Sequence, residues 1–201
     1  MKRQSEARGP LLCVASDGWV GGARREPSPN FDARPPGSAI ELLVVHNISL
    51  PPGAFGSGDI ARLFTNRLDP AAHPFFATLS GLRVAAHFLI ERDGALTQFV
   101  SCLDRAWHAG ASEFDGRPHC NDYSIGVELE GTDFAPFEAA QYATLASLTR
   151  ALRAAYPLRA VRGHADIACG RKTDPGPFFD WLRYAQLADL DPSQLPSHAR
   201  A

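Results

Sequence analysis

Two histidines and an aspartate raise the question of chemistry in this sequence. Hydrolytic zinc sites take three protein ligands from imidazole, carboxylate or thiolate and leave a fourth position for water. His46, His164 and Asp174 can supply that set. His46 closes the apolar run "IELLVVHN", while His164 and Asp174 share "GHADIACGRKTDPGP", residues 163 to 177, whose glycines and prolines oppose a long helix. An irregular loop there can aim a histidine, Lys172 and an aspartate at one point. Gly163 is read as letting the backbone turn ahead of the imidazole. Pro175 is read as pushing Asp174 towards extended backbone, with its side chain on the same side as that of Lys172. No local H-x-x-x-H pattern defines the set, and Cys169 offers a thiolate as an alternative third ligand. Spacing leaves that choice open.

The leading acid–base candidate is Glu128. In "YSIGVELEG", Ile125, Val127 and Leu129 alternate with Gly126, Glu128 and Glu130, so one strand face is apolar and the other carries carboxylates. Gly126 beside Glu128 would leave room for a substrate. Glu130, next to Gly131, is expected at the strand's end and more solvated. The plain alternatives are a solvated carboxylate for Glu128 and an ordinary exposed lysine for Lys172. Arg83, Trp107 and His108, in "LRVAAH" and "AWHAG", are further candidates, because a tryptophan followed by a polar donor and glycine suits a sugar-binding wall. His87, inside an apolar stretch, reads as a core histidine or one that supports the site from behind.

The elements that must position these groups follow from pattern. "IELLVVHN" is a buried central strand. "VAAHFLIERDGALTQFV" is a hairpin turning at Asp93-Gly94. "DIARLFTNRL" is a short helix starting near Ser57 or Asp59. The longest helix, "PFEAAQYATLASLTRALRAAYP", places Phe137, Gln141, Leu145, Leu148, Leu152 and Ala155 at helical intervals, with Asp133 as cap and Pro157 as stop. "PFFDWLRYAQLADL" makes another helix, with Pro177 in its first turn. Strands, a hairpin and helices in this mixture indicate an α+β domain with a central mixed sheet flanked by helices. Residues 1–16 and 189–201 are expected to be loose, residues 17–188 to form a single domain, and the glycine- and proline-rich stretch up to about Ala39 to run over its surface as an irregular arm.

Composition narrows the partners. Among 201 residues, 20 basic and 22 acidic side chains give a net charge of −2, which excludes a general attraction to nucleic acid or an anionic membrane. A small-molecule substrate and a monomeric chain are the expectation. Cys13, Cys102, Cys120 and Cys169 have no C-x-x-C spacing and read as reduced thiols. The apolar run "LLCVA" is too short for a secretory signal, and no run reaches membrane-spanning length, so a cytoplasmic setting is expected.

Taken in order, "LLVVHNISLPPGAFG", "RVAAHFLIERDG", "RAWHAG", "CNDYSIGVELEGTD" and "GHADIACGRKTDPGP" resemble the cytosolic AmpD-type N-acetylmuramyl-L-alanine amidases, within the wider group of peptidoglycan-recognition and phage-lysozyme amidases. The similarity runs from about Gly18 to Arg183. The resemblance implies that group's fold and a zinc amidase, with one Zn²⁺ per chain, that removes the peptide from anhydro-muramyl peptides during cell-wall recycling. It implies His46, His164 and Asp174 as metal ligands, favouring Asp174 over Cys169, with Glu128 and Lys172 as the catalytic pair. Asn47, Arg83, Trp107 and His108 would line the substrate cleft. Two departures bear on substrate contacts: Phe75 stands where relatives carry tyrosine and His119 where an arginine is familiar. A non-catalytic binding module on this fold would be expected to have lost a ligand. A lytic amidase would be expected to carry an export signal or an added wall-binding domain.

Overall fold

The structure, a computed structural model, describes residues 10–199. Six strands form its central sheet: β1 (Arg24–Arg25), β2 (Leu42–Ile48), β3 (Phe88–Ile90), β4 (Leu96–Gln98), β5 (Ser124–Glu130) and β6 (Ala160–Gly163). Their spatial order is β6-β2-β5-β3-β4-β1. All neighbours are parallel except the β3–β4 hairpin, where Phe88 faces Gln98 and Ile90 faces Leu96 across the turn at Asp93-Gly94. Gly94 takes a φ of +86° there, as a tight turn requires. The expected mixed sheet is therefore present.

The helices are α1 (Asp59–Phe64), α2 (Pro74–Ala77), α3 (Ala139–Ala155), α4 (His164–Ile167) and α5 (Trp181–Ala188). One sheet face, carrying Leu43, Val45, Ile125, Val127 and Leu129, packs against Leu145, Leu148 and Leu152 of α3 and Tyr184 of α5. Burial of these side chains stabilises the domain by roughly 1.5–3 kcal/mol each. The opposite face carries Leu89 against Ile60, Leu63 and Phe64 of α1, and Leu42 and Val44 against Tyr123 and Ile167. Both faces are covered, as parallel strands demand. The parity of β2 and β5 that sends Val45 and Val127 into the α3 side sends His46 and Glu128 to the other.

Five local expectations change. The cap of α3 is Glu138, paired with Gln141 in a capping box, while Asp133 instead accepts a hydrogen bond from Asn47. Helix α5 begins at Trp181 behind the Asp180 cap, whose carboxylate accepts from the Arg183 N–H, so Pro177 lies outside its first turn. Residues 189–199 are not loose: Leu190, Leu195 and Ala199 are buried in the main core. At the other end, residues 1–9 lie outside the described residues, yet Leu12 is buried and Cys13–Val14 pairs antiparallel with Val20–Gly21. Short polar stretches with a few apolar side chains can pack when a groove is offered, and periodicity does not reveal the groove. The arm likewise contributes β1 to the sheet edge and pairs Phe31–Ala33 with Asp104–Ala106. Among the described residues no helix is long and apolar enough to cross a membrane.

Candidate active site

His46 lies two residues before the end of β2, and its Cα partner on β5 is Glu128. His164 is the first residue of α4, directly after β6, which pairs with the other edge of β2. Three adjacent parallel strands thus deliver the two histidines and Glu128 at their carboxyl ends, the end at which open sheets of this kind bind ligands. Asp174 returns to the same point because its carbonyl oxygen accepts the Ala165 N–H at 2.9 Å. Gly163 makes that return possible. Its φ of −73° is open to any residue, so the expected turning role is not its function. A Cβ there would lie 2.7 Å from Pro175 Cδ, so the glycine is needed for space.

The three donor atoms form a tight triangle. His46 Nδ1 is 3.0 Å from His164 Nδ1 and 3.0 Å from Asp174 Oδ2, and His164 Nδ1 is 3.1 Å from the same oxygen. His164 Nε2 lies 3.0 Å from the Ala109 carbonyl oxygen, which can only accept, so Nε2 carries a proton and Nδ1 is the ring atom turned to the triangle. Two imidazole nitrogens and a carboxylate oxygen meeting at one point are a donor set that fits a divalent cation. His46, His164 and Asp174 form the one such group among the described residues. Cys169 stays outside it, exposed, with its thiol directed to the Asp166 carbonyl at 3.6 Å.

Electrostatics agree with that set. Burial lowers the His46 pKa to about 4, against the pull of its Asp174 hydrogen bond, so the ring is neutral. Burial alone would raise the Asp174 carboxyl, but hydrogen bonds with His164 and His46 outweigh it and keep the group ionised. Glu128 shows the reverse. Burial, then the nearby Asp174 charge, raise its pKa well above the ordinary carboxyl range, and Lys172 opposes them. Glu128 Oε2 is enclosed and finds no hydrogen-bond partner, which marks it as a group held ready for something outside the chain.

A cavity of about 360 Å³ opens over these residues, with Trp107, Phe75 and Lys172 in its wall. It adjoins a wider groove of about 720 Å³ bordered by Asn47, Asp133, Phe134, Arg171 and Lys172. Lys172 and Asn47 line both, and Asn47 donates to Asp133 Oδ1 at 2.6 Å. Three expectations are corrected. Arg83 borders an adjoining pocket with Asn66 and Pro70, which shares Leu63, Leu79 and Leu82 with the cavity, and it donates to the Leu82 carbonyl oxygen; it is not among the residues around the His46–His164–Asp174 cavity itself. Glu130 is buried, not solvated, and accepts the N–H groups of Gly56 at 2.6 Å and Arg92 at 3.2 Å. Gly126 also serves differently: a Cβ there would come within 2.5 Å of the His108 ring, so the space it leaves is filled by protein. His87 is fully buried, and its Nδ1 accepts the Gly126 N–H, in keeping with a core role behind the site. His119 lies outside both cavities.

Sequence reasoning missed Arg171. Its guanidinium donates to the Ala109 and Ala111 carbonyl oxygens at 2.8 and 2.5 Å, bracing the loop whose Ala109 oxygen orients His164. No pattern signals this, because the partner is a backbone carbonyl sixty-odd residues away.

The family profile described as N-acetylmuramoyl-L-alanine amidase matches residues 36–177. The chain is similar to the 1,6-anhydro-N-acetylmuramyl-L-alanine amidase AmpD of Escherichia coli (strain K12), 58% identical over 89% of this chain and 98% of the relative. Its fold is similar to a crystal structure of a selenomethionine AmpD derivative, with a TM-score of 0.84 and 54% identity, covering 87% of this chain and 98% of that one. It is also similar to the E. coli amidase AmiD, solved with the substrate anhydro-N-acetylmuramic acid-L-Ala-D-γ-Glu-L-Lys, at 31% identity and a TM-score of 0.56 over 88% of this chain and 65% of that one.

Proposed function

The chain belongs to the N-acetylmuramoyl-L-alanine amidase family, and from that premise we propose that it hydrolyses the lactyl–L-alanine amide of 1,6-anhydro-muramyl peptides in cytosolic cell-wall recycling. His46, His164 and Asp174 would hold one Zn²⁺. The observation that carries the reading is the meeting of those three donors with an unpartnered Glu128 at the floor of one cavity. Bound there, zinc supplies Lewis acidity and brings the pKa of a water towards neutrality.

The chain's own groups then have distinct tasks. Glu128, its pKa raised by burial and by the Asp174 charge, accepts a proton from the attacking water and delivers it to the departing alanine nitrogen. Lys172, at the cavity wall, donates to the carbonyl oxygen as negative charge builds on it. Trp107 and Phe75 offer apolar walls for the anhydro-sugar, and Asn47, held by Asp133, a polar contact at the entrance to the wider groove. The names of the similar proteins give a 1,6-anhydro-N-acetylmuramyl-L-alanine amidase and an amidase with an anhydro-N-acetylmuramic acid peptide as substrate, which supports the substrate class.

The experiment is to incubate zinc-loaded protein with anhydro-muramyl tripeptide and identify products by mass. Free tripeptide and anhydro-muramic sugar are expected, with much less peptide released from insoluble sacculi. An intact tripeptide substrate, or equal release from sacculi, would overturn the reading.

A further inference from the structure

His46 is held from behind. Its Nε2 lies 2.9 Å from His108 Nδ1, and His108 Nε2 lies 3.1 Å from Ser124 Oγ, forming a chain from β2 through the 107–109 loop to the first residue of β5. Both ring nitrogens of His108 are thereby engaged by protein. The ring stands edge-on to His46 with centroids 5.1 Å apart. It is seated over Gly126, where any side chain would collide with it. Its backbone is fixed as well, since the N–H groups of His108 and Ala109 both donate to Asn121 Oδ1, at 3.3 and 2.9 Å. Ser124 is fully buried.

The protons in this chain have one consistent arrangement. If His46 offers its Nδ1 lone pair to a metal, its proton sits on Nε2 and His108 Nδ1 must accept it. A neutral His108 then carries its proton on Nε2, and Ser124 Oγ accepts that. His164 reaches the same state with a backbone carbonyl, but His46 relies on a second imidazole that could hold either tautomer. We propose that His108, whose ring borders the cavity but has both nitrogens engaged by protein, is backed by Ser124 as a positioning residue that selects the metal-binding tautomer and ring orientation of His46, and does not act as a polar substrate contact. The proposal rests on the reading of His46 as a metal ligand. Outer partners of ligating histidines commonly have this effect on affinity.

The test measures zinc affinity by competition with a chromophoric chelator, for wild type, His108→Ala and His108→Asn. Wild type must bind zinc; if it does not, the metal site itself is refuted and the proposal with it. Given wild-type binding, His108→Ala should bind about 10–100-fold more weakly. His108→Asn should recover most of that, because its Oδ1 can accept where Nδ1 did. At full zinc occupancy the KM of His108→Ala should stay near wild type. Unchanged zinc affinity in His108→Ala, no recovery in His108→Asn, or a raised KM at full occupancy would each overturn the proposal. Should His108→Ala fail to fold, ¹⁵N NMR of zinc-loaded wild type still decides: His46 and His108 should both be protonated on Nε2, and Nδ1 protonation of His108 would refute the assignment.

Discussion

The residues proposed as catalytic and those proposed as ligands separate by what their loss should remove. Asp174→Ala deletes one vertex of the donor triangle and should abolish most zinc binding, measured as metal content after gel filtration. Glu128→Ala and Lys172→Ala should keep zinc and fold. Activity should fall about 10²–10⁴-fold for the acid–base group, and about 10²–10³-fold for the oxyanion donor. Their combined loss should be less than the product if both act on one transition state. The Glu128 loss should appear in kcat more than KM, and a zinc-replete Glu128→Ala enzyme of near wild-type rate would remove it from the mechanism. Glu130→Ala is a different experiment. It strips the acceptor from two backbone N–H groups, so it should destabilise the fold by on the order of 1–3 kcal/mol in a urea titration.

At the scale of elements, the site depends on how closely the ligand loop approaches the strand end before it. Gly163→Ala introduces a methyl 2.7 Å from Pro175 Cδ at a φ that alanine adopts freely. Its effect should therefore come from pushing the 173–175 loop outward and not from backbone strain. Zinc affinity should fall while α4 and the sheet persist, giving a near-native circular dichroism spectrum with a weakened chelator-competition constant. Wild-type affinity in Gly163→Ala would show that the loop has room to spare. Arg171, tied to the Ala109 and Ala111 carbonyls, makes the complementary contact from the other side of His164.

For the whole molecule, buried neutral imidazoles set the response to acid. His46 is held down to about 4, His87 to about 3, and His108 well below its ordinary value, chiefly by burial in all three. Unfolding frees these rings to take up protons near pH 6.5, so the unfolded chain binds more protons below that pH and stability falls as pH falls towards the native values. Glu128 acts in the opposite sense, because its raised native pKa lets the folded chain hold a proton that the unfolded chain releases above the ordinary carboxyl range. The ring pKa values are lowered far below the pH range in which the rings ionise once unfolded, so between pH 7 and pH 5 the balance is net proton uptake on unfolding. Urea midpoints of chelator-treated protein should therefore decline from pH 7 to pH 5. A flat profile over that range would mean that these rings are hydrated and titrate normally.

The sequence by itself supplied the candidates for the chemistry: two histidines and an aspartate of ligand type, an acid on an alternating strand, a lysine two residues before that aspartate, and motif order specific enough to imply a family. It also determined the hairpin at Asp93-Gly94 and the buried strand carrying His46, because these follow from local pattern and turn chemistry. Only the tertiary structure decided which carboxylate faces the cavity. Glu128 and Glu130 share a parity on β5, but the loop carrying Gly56 and the turn at Arg92 close over the second and supply its hydrogen bonds. The structure also set Arg83 in the adjoining pocket, seated His108 against His46, and packed Leu190 and Leu195 into the core. Those outcomes depend on backbone groups and surfaces brought together from distant parts of the chain, and spacing along a sequence carries no record of them.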